Sequence, residues 1–190
     1  QWRRSAGGAV TVDSASLSPE QMLTEAIAQV SGATKDNKGA EKAWLYYHGD
    51  AASCTKAVVT YTRKTRGDST HRDVCKNTPA HKADVMGEAF DTILAYGHSV
   101  ARVKVQQGLV ILKAQLSNGA AAARIADLKK DTIAHMLISA YQGVIECSQK
   151  MTDGADAAAK AAAQTQGLKY WNIVKDNLPD GPEKEDLNHM

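Results

Sequence analysis

The sequence predicts an all-α protein, an antiparallel helical bundle with an extended N-terminal arm. Three observations carry this. Apolar residues recur at spacings of three and four over long stretches, above all Ile133, Leu137, Ala140, Val144 and Cys147. Start and stop residues punctuate those stretches, with Ser18-Pro19 and Thr78-Pro79 opening helices and Gly49, Asn118-Gly119 and Gly154 closing them. No useful run alternates with a period of two, so no sheet is expected beyond a short pairing of the arm.

Residues 1–17, QWRRSAGGAVTVDSASL, read as the arm. Ser18 then caps, Pro19 suits the first helical position and Gln21 completes a capping box, which predicts a helix to about Val30 that stops at Ser31-Gly32. ATKDNKG is a polar loop, and a second helix covers about 39–48 and breaks at Gly49. A third is expected over about 51–65, with Val58, Tyr61 and Thr62 on one side. TRGDSTHRDVCKN, Thr65 to Asn77, reads as the longest irregular segment. From Thr78-Pro79, the stripes Met86, Phe90, Ile93, Gly97 and Val105, Leu109, Leu112, Leu116 predict one long helix over 79–116, or two joined near Gly97-His98. Residues 120–151 form the strongest helix, and a last one over 155–177 ends before Leu178-Pro179. The organisation expected is an arm (1–17), a bundle domain (18–178) and an exposed tail (179–190).

Composition bounds the function. With 190 residues, 43% hydrophobic and 23% charged, the chain suits one ordinary globular domain. A net charge of +2, with no basic stripe interleaved with aromatics, argues against nucleic acid. No apolar run approaches the roughly 18 residues that span a membrane. The numbering opens at Gln1, which points to a removed leader or a start within a longer chain. Cys54 and Cys75 flank a Gly/Asp/Ser-rich turn and are able to bridge, which leaves Cys147 over.

No HExxH, GxSxG, P-loop, GxGxxG, CxxC or Glu-x-x-His signature occurs, so no enzyme is expected. The stretch EKAWLYYHGD, residues 41–50, places Trp44, Tyr46, Tyr47, His48 and Asp50 at one helix end. Phenol, imidazole and carboxylate together suit ferric iron, a hard ion. The alternative is packing by Trp44 and Tyr47 with His48 answering the helix dipole. Tyr96 and His98 make a similar pair. Asp127, Asp131 and His135 fall at i, i+4 and i+8, either a secondary metal candidate or a solvated stripe. Gly143, beside Tyr141, marks a close approach of another helix, for which Trp44 or Tyr47 is the expected filler.

Taken in order, EKAWLYYHGD, YTRKTRGDS, VCKNTPAHKADVMGEAFDTILAYG, HMLISAYQGVIECSQKM and AAAQTQGLKYWNIV resemble the algal extracellular iron-assimilation proteins, also described as low-iron- or high-CO2-inducible periplasmic proteins. The resemblance covers about residues 39–178. Trp44, Tyr46, Tyr47 and Gly49 fit an aromatic-Tyr-x-Gly helix end, Arg66 and Gly67 a basic turn, and Gln142 and Gly143 a helical Gln-Gly pair. It implies secretion or a periplasmic or cell-surface location, an all-α fold, and a link to iron as possible cofactor. The expectation is a secreted, non-catalytic helical protein that binds iron or an iron-linked ligand through Tyr46, Tyr47, His48 and Asp50, helped by His98 or Tyr141. The alternative is a scaffold or accessory subunit that meets a protein partner through residues 1–17 and 179–190. In a secreted context Cys54 and Cys75 are expected to be joined.

Overall fold

The computed structural model describes residues 10–36, 38–50, 54–63, 67–153 and 156–178. Residues 1–9 of the expected arm and the tail 179–190 lie outside them, and residues 10–18 form neither helix nor strand. Among the described residues there are six helices, α1 (Pro19–Ser31), α2 (Gly39–His48), α3 (Pro79–Ala89), α4 (Val100–Ser117), α5 (Ala122–Thr152) and α6 (Ala157–Asn177), and two strands, β1 (Thr55–Arg63) and β2 (Asp68–Lys76).

The helices follow local signals. Ser18 and Gln21 close the capping box at the head of α1 in both directions, at 2.9 and 3.3 Å. Thr78 caps α3, Ser99 caps α4 and Asp156 caps α6, each accepting the backbone N–H three residues on. The stretch 79–116 is two helices, not one. Between them Gly97 adopts φ +80° and Ile93 pairs with Ser99 across a tight turn.

The expected third helix and the irregular segment after it are corrected. β1 and β2 form an antiparallel hairpin with Thr55 opposite Lys76 and Arg63 opposite Asp68. Five of the nine β1 residues are β-branched, which disfavours helix and suits a pleated ribbon. Val58, placed by spacing on one side of the expected helix, is 69% exposed on the ribbon. The inward face holds Val59 and Val74 against Ile93. The expected disulfide is present: Cys54 and Cys75 are bonded across the base of the hairpin, with Cα atoms 5.1 Å apart, and Cys147 is free and buried. The fold is thus mostly helical with a small two-stranded sheet.

The chain divides into two compact units, Gln1–Ser139 and Ala140–Met190, with the boundary inside α5. In the first, Met22, Ile27, Val30, Ala43, Tyr47, Met86, Val105, Leu109, Leu112 and Met136 are buried. Gly108 lets Thr132 sit against α4, because any Cβ there would overlap the Thr132 hydroxyl. In the second, a Cβ on Gly143 would lie 2.6 Å from the Tyr170 ring and one on Gly167 3.1 Å from Cys147. The two contacts run in opposite order along α5 and α6, so this helix pair is antiparallel. Tyr170, not Trp44 or Tyr47, therefore fills the space that Gly143 leaves.

The disulfide closes a sequence separation of 21 residues. Replacing both cysteines by serine is expected to lower stability by about 3 kcal/mol through the freed unfolded chain, read by denaturant unfolding.

Candidate functional site

α2 ends where the chain must pass close to the hairpin base. Gly49 takes φ +88°, and a Cβ there would come within 2.9 Å of Thr78 Cγ2 and 3.3 Å of Cys75 Cβ. Thr78 ties that base to α3, donating its hydroxyl to the Cys75 carbonyl at 2.9 Å while accepting from His81 N–H at 3.2 Å. On α3, Gly87 faces Ser99, whose Cβ occupies the position its own side chain would take. Three elements therefore meet at one junction: the C-terminal turn of α2, the middle of α3 and the head of α4.

A carboxylate organises this junction. Asp84 is 0% exposed. Its Oδ1 accepts from Ser99 N–H at 2.8 Å, and its Oδ2 faces His98 Nδ1 at 3.2 Å and accepts from the Arg102 guanidinium. Ser99 in turn accepts from Arg102 N–H at 3.1 Å. Beside this carboxylate stand three buried atoms with no hydrogen-bond partner among the described residues: Tyr47 Oη, His48 Nε2 and Arg102 Nε. Burial, then Asp84, raises the Tyr47 phenol far above its ordinary range, with Arg102 acting in the opposite sense. Burial, then Arg102 and His98, holds His48 well below the ordinary imidazole range. Burial also lowers His81, against the pull of Asp84.

The residues expected to form a site are distributed around this junction rather than gathered at one point. Tyr47 points inward and is 0% exposed. Trp44 is half-buried and lies against His48 with ring centroids 4.2 Å apart and planes tilted by 39°, and Tyr47 meets the same imidazole edge-on at 5.1 Å. Tyr46 looks elsewhere: its phenol is raised by burial and then by Glu25 and Asp13, whereas Tyr47 feels Asp84 and Arg102. Asp50 is half-buried. His98 belongs to the Asp84 cluster, and Tyr141 lies in the second unit, 56% exposed. His135 Nδ1 donates to the Asp131 carbonyl at 2.8 Å and stands 3.6 Å from its carboxylate, with Asp127 exposed one turn earlier.

Among the described residues, no three His, Cys, Asp or Glu side chains gather closely enough to hold a metal ion. Burial raises both phenols, and different neighbours act on them, Glu25 and Asp13 on Tyr46 but Asp84 and Arg102 on Tyr47. Tyr46 and Tyr47 are thus not directed to one point.

Sequence spacing missed Asp84, Ser99 and Arg102. A signal existed for the first. Ala80, Ala83, Asp84 and Gly87 share the buried stripe of α3, so a carboxylate sits where only apolar or small residues belong. Arg102 carried no such mark.

The outer side of the junction opens into a groove of about 340 Å3. Val103, Gln106, Gln107 and Val110 form one face of α4, joined by Ile111, while Tyr96 and His98 enter from the preceding turn. The Tyr96 and His98 rings stand edge to face, 6.1 Å apart. His98 thus touches both the buried carboxylate and the groove. Compared with known proteins, the chain matches no family model, no curated sequence and no solved structure.

Two substitutions should separate the organising group from an idle one. Asp84→Asn leaves the half-buried Arg102 guanidinium without its counter-charge and is expected to destabilise by about 2–4 kcal/mol. Tyr47→Phe removes a hydroxyl that has no partner among the described residues and is expected to leave stability unchanged, or to raise it by up to about 1 kcal/mol. Denaturant midpoints of the two variants against the parent chain test the contrast.

Proposed function

We propose that this chain is a secreted, non-catalytic binding protein whose ligand lies in the groove beside α4. The groove itself is the observation that supports this reading. Its volume of about 340 Å3 falls in the range of small-ligand sites, and its lining is mainly apolar with a few convergent polar groups, as such sites are. Tyr96 and His98 offer ring edges, and Gln106 and Gln107 offer amides that donate and accept. No lining side chain carries a fixed charge, so the ligand is a neutral or charge-dispersed molecule with a polar edge. The Asp84 contact orients His98 before any ligand arrives, which reduces the ordering cost of binding. The Cys54–Cys75 bridge supports an oxidising, extracytoplasmic location.

An iron-linked ligand of the kind the family resemblance implies would enter as a chelate, with its own oxygens around the metal. The antiparallel bundle expected from the sequence is retained as the frame. The second reading, a scaffold or accessory subunit of a larger assembly, draws support from Val110 and Ile111, which are 46% and 42% exposed on α4.

Thermal unfolding with a ferric trishydroxamate, its gallium analogue and the metal-free hydroxamate tests the proposal. Both chelates are expected to raise the melting temperature in the parent chain, with a stabilisation of about 2.7 kcal/mol at a hundred times Kd. Val110→Glu should abolish the shift and leave the unliganded melting temperature in place. An equal shift with the metal-free compound keeps the groove and removes iron. No shift with any of the three, together with self-association that Val110→Glu abolishes, favours the accessory-subunit reading.

A further inference from the structure

We infer that the α2–α3–α4 junction is an acid-operated latch: His48 Nε2 is buried beside Arg102 while the Asp84 carboxylate is already engaged by Ser99, His98 and Arg102, so a proton on His48 adds positive charge that the closed junction does not answer and frees the last turn of α2. This inference does not depend on the groove's having a ligand.

The geometry sets up a charge imbalance. Asp84 is already engaged by the Ser99 N–H, the His98 ring and the Arg102 guanidinium. The groups that act on His48 from its neighbours are the Tyr47 phenol on its own helix, the His98 ring in the turn before α4 and Arg102 on α4. From α3 come Asp84 and His81, and His81 is in turn faced by Lys82 on its own helix and by Lys76 at the end of β2. Asp84 is the carboxylate that acts on both Tyr47 and His81. At neutral pH its charge is balanced by Arg102. A proton on His48 adds a second cation beside Arg102.

His48 Nε2 is the weak point. It is sealed from solvent and has no acceptor among the described residues, so an N–H placed there cannot be satisfied in the closed junction. Relief is available nearby. His48 is the last residue of α2, and Gly49 follows with φ +88° and a glycine's backbone freedom. Unwinding the last turn of α2 at this point would carry the half-buried imidazole to water and part it from Trp44.

The sign follows from linkage. Burial holds folded His48 below its ordinary value near 6.5, so the unfolded chain binds more protons in the interval between the two. The stability that neutral His48 contributes is fully present above about pH 6.5 and is lost as pH falls towards its folded value. His81 is shifted in the same direction.

The test measures the unfolding constant of the full chain by denaturant between pH 7.5 and 5.5. Each proton taken up on unfolding multiplies that constant about tenfold per pH unit. The parent chain is expected to show at least one such proton below about pH 6.5, and His48→Phe is expected to show about one fewer. A parent unfolding constant flat over this range, or an equal slope in His48→Phe, overturns the latch. If His48→Phe fails to fold, nuclear magnetic resonance of the parent decides. The expected result is that His48 ring protonation coincides with changes in the Tyr47 and Ser99 amide signals. His48 titrating near pH 6.5 with those amides unmoved overturns it.

Discussion

A carboxylate withdrawn from water is tolerated only when donors surround it, and Asp84 is in that position. Its partners come from a single short run: the His98 ring, the Ser99 N–H and the Arg102 guanidinium. The contact therefore does more than neutralise a charge. It fixes the head of α4 against the middle of α3, and everything α4 carries inherits that position. The groove residues Val103, Gln106 and Val110 lie one, two and three turns beyond the anchored end.

Small residues set how closely the other elements approach. Gly87 admits Ser99, Gly49 admits Thr78 and Cys75, and Gly108 admits Thr132. The disulfide, the Thr78 cap and the end of α2 are consequently one construction. The hairpin is held to α3 at the same place where α2 delivers Tyr47 and His48 to the junction. In the second unit Gly143 and Gly167 let Tyr170 and Cys147 settle between α5 and α6 by the same means.

The aromatic run in α2 divides its labour. Successive helical residues point about 100° apart, so Tyr46 and Tyr47 cannot serve one point. Tyr47 fills the core beside Asp84 and Arg102, Tyr46 turns towards Glu25 and Asp13, and Trp44 covers the imidazole between them and the junction. A packing role for the run and a binding role for the adjacent groove are compatible, because His98 is common to both sides of the junction.

The chain's local chemistry was enough to place most of its helices. Ser18-Pro19, Thr78-Pro79, Gly49 and Asn118-Gly119 act on backbone hydrogen bonds within a few residues, so their effect is legible without any tertiary contact. The inward aspect of Tyr47 was legible in the same way, from helical spacing. Residues 55–76 were not, because a two-stranded ribbon depends on cross-strand pairing and on Val74 meeting Val59 and Ile93, which one strand's pattern does not reveal. Asp84 betrayed itself faintly as a charge on an apolar stripe. Its partners lie 14 to 18 positions away and Tyr47 much farther, and only the folding of α3 against α4 decides that these groups face one another. Sequence determined the segments and their ends; tertiary packing decided which polar groups would be buried together, because burial is a property of neighbours that local spacing does not specify.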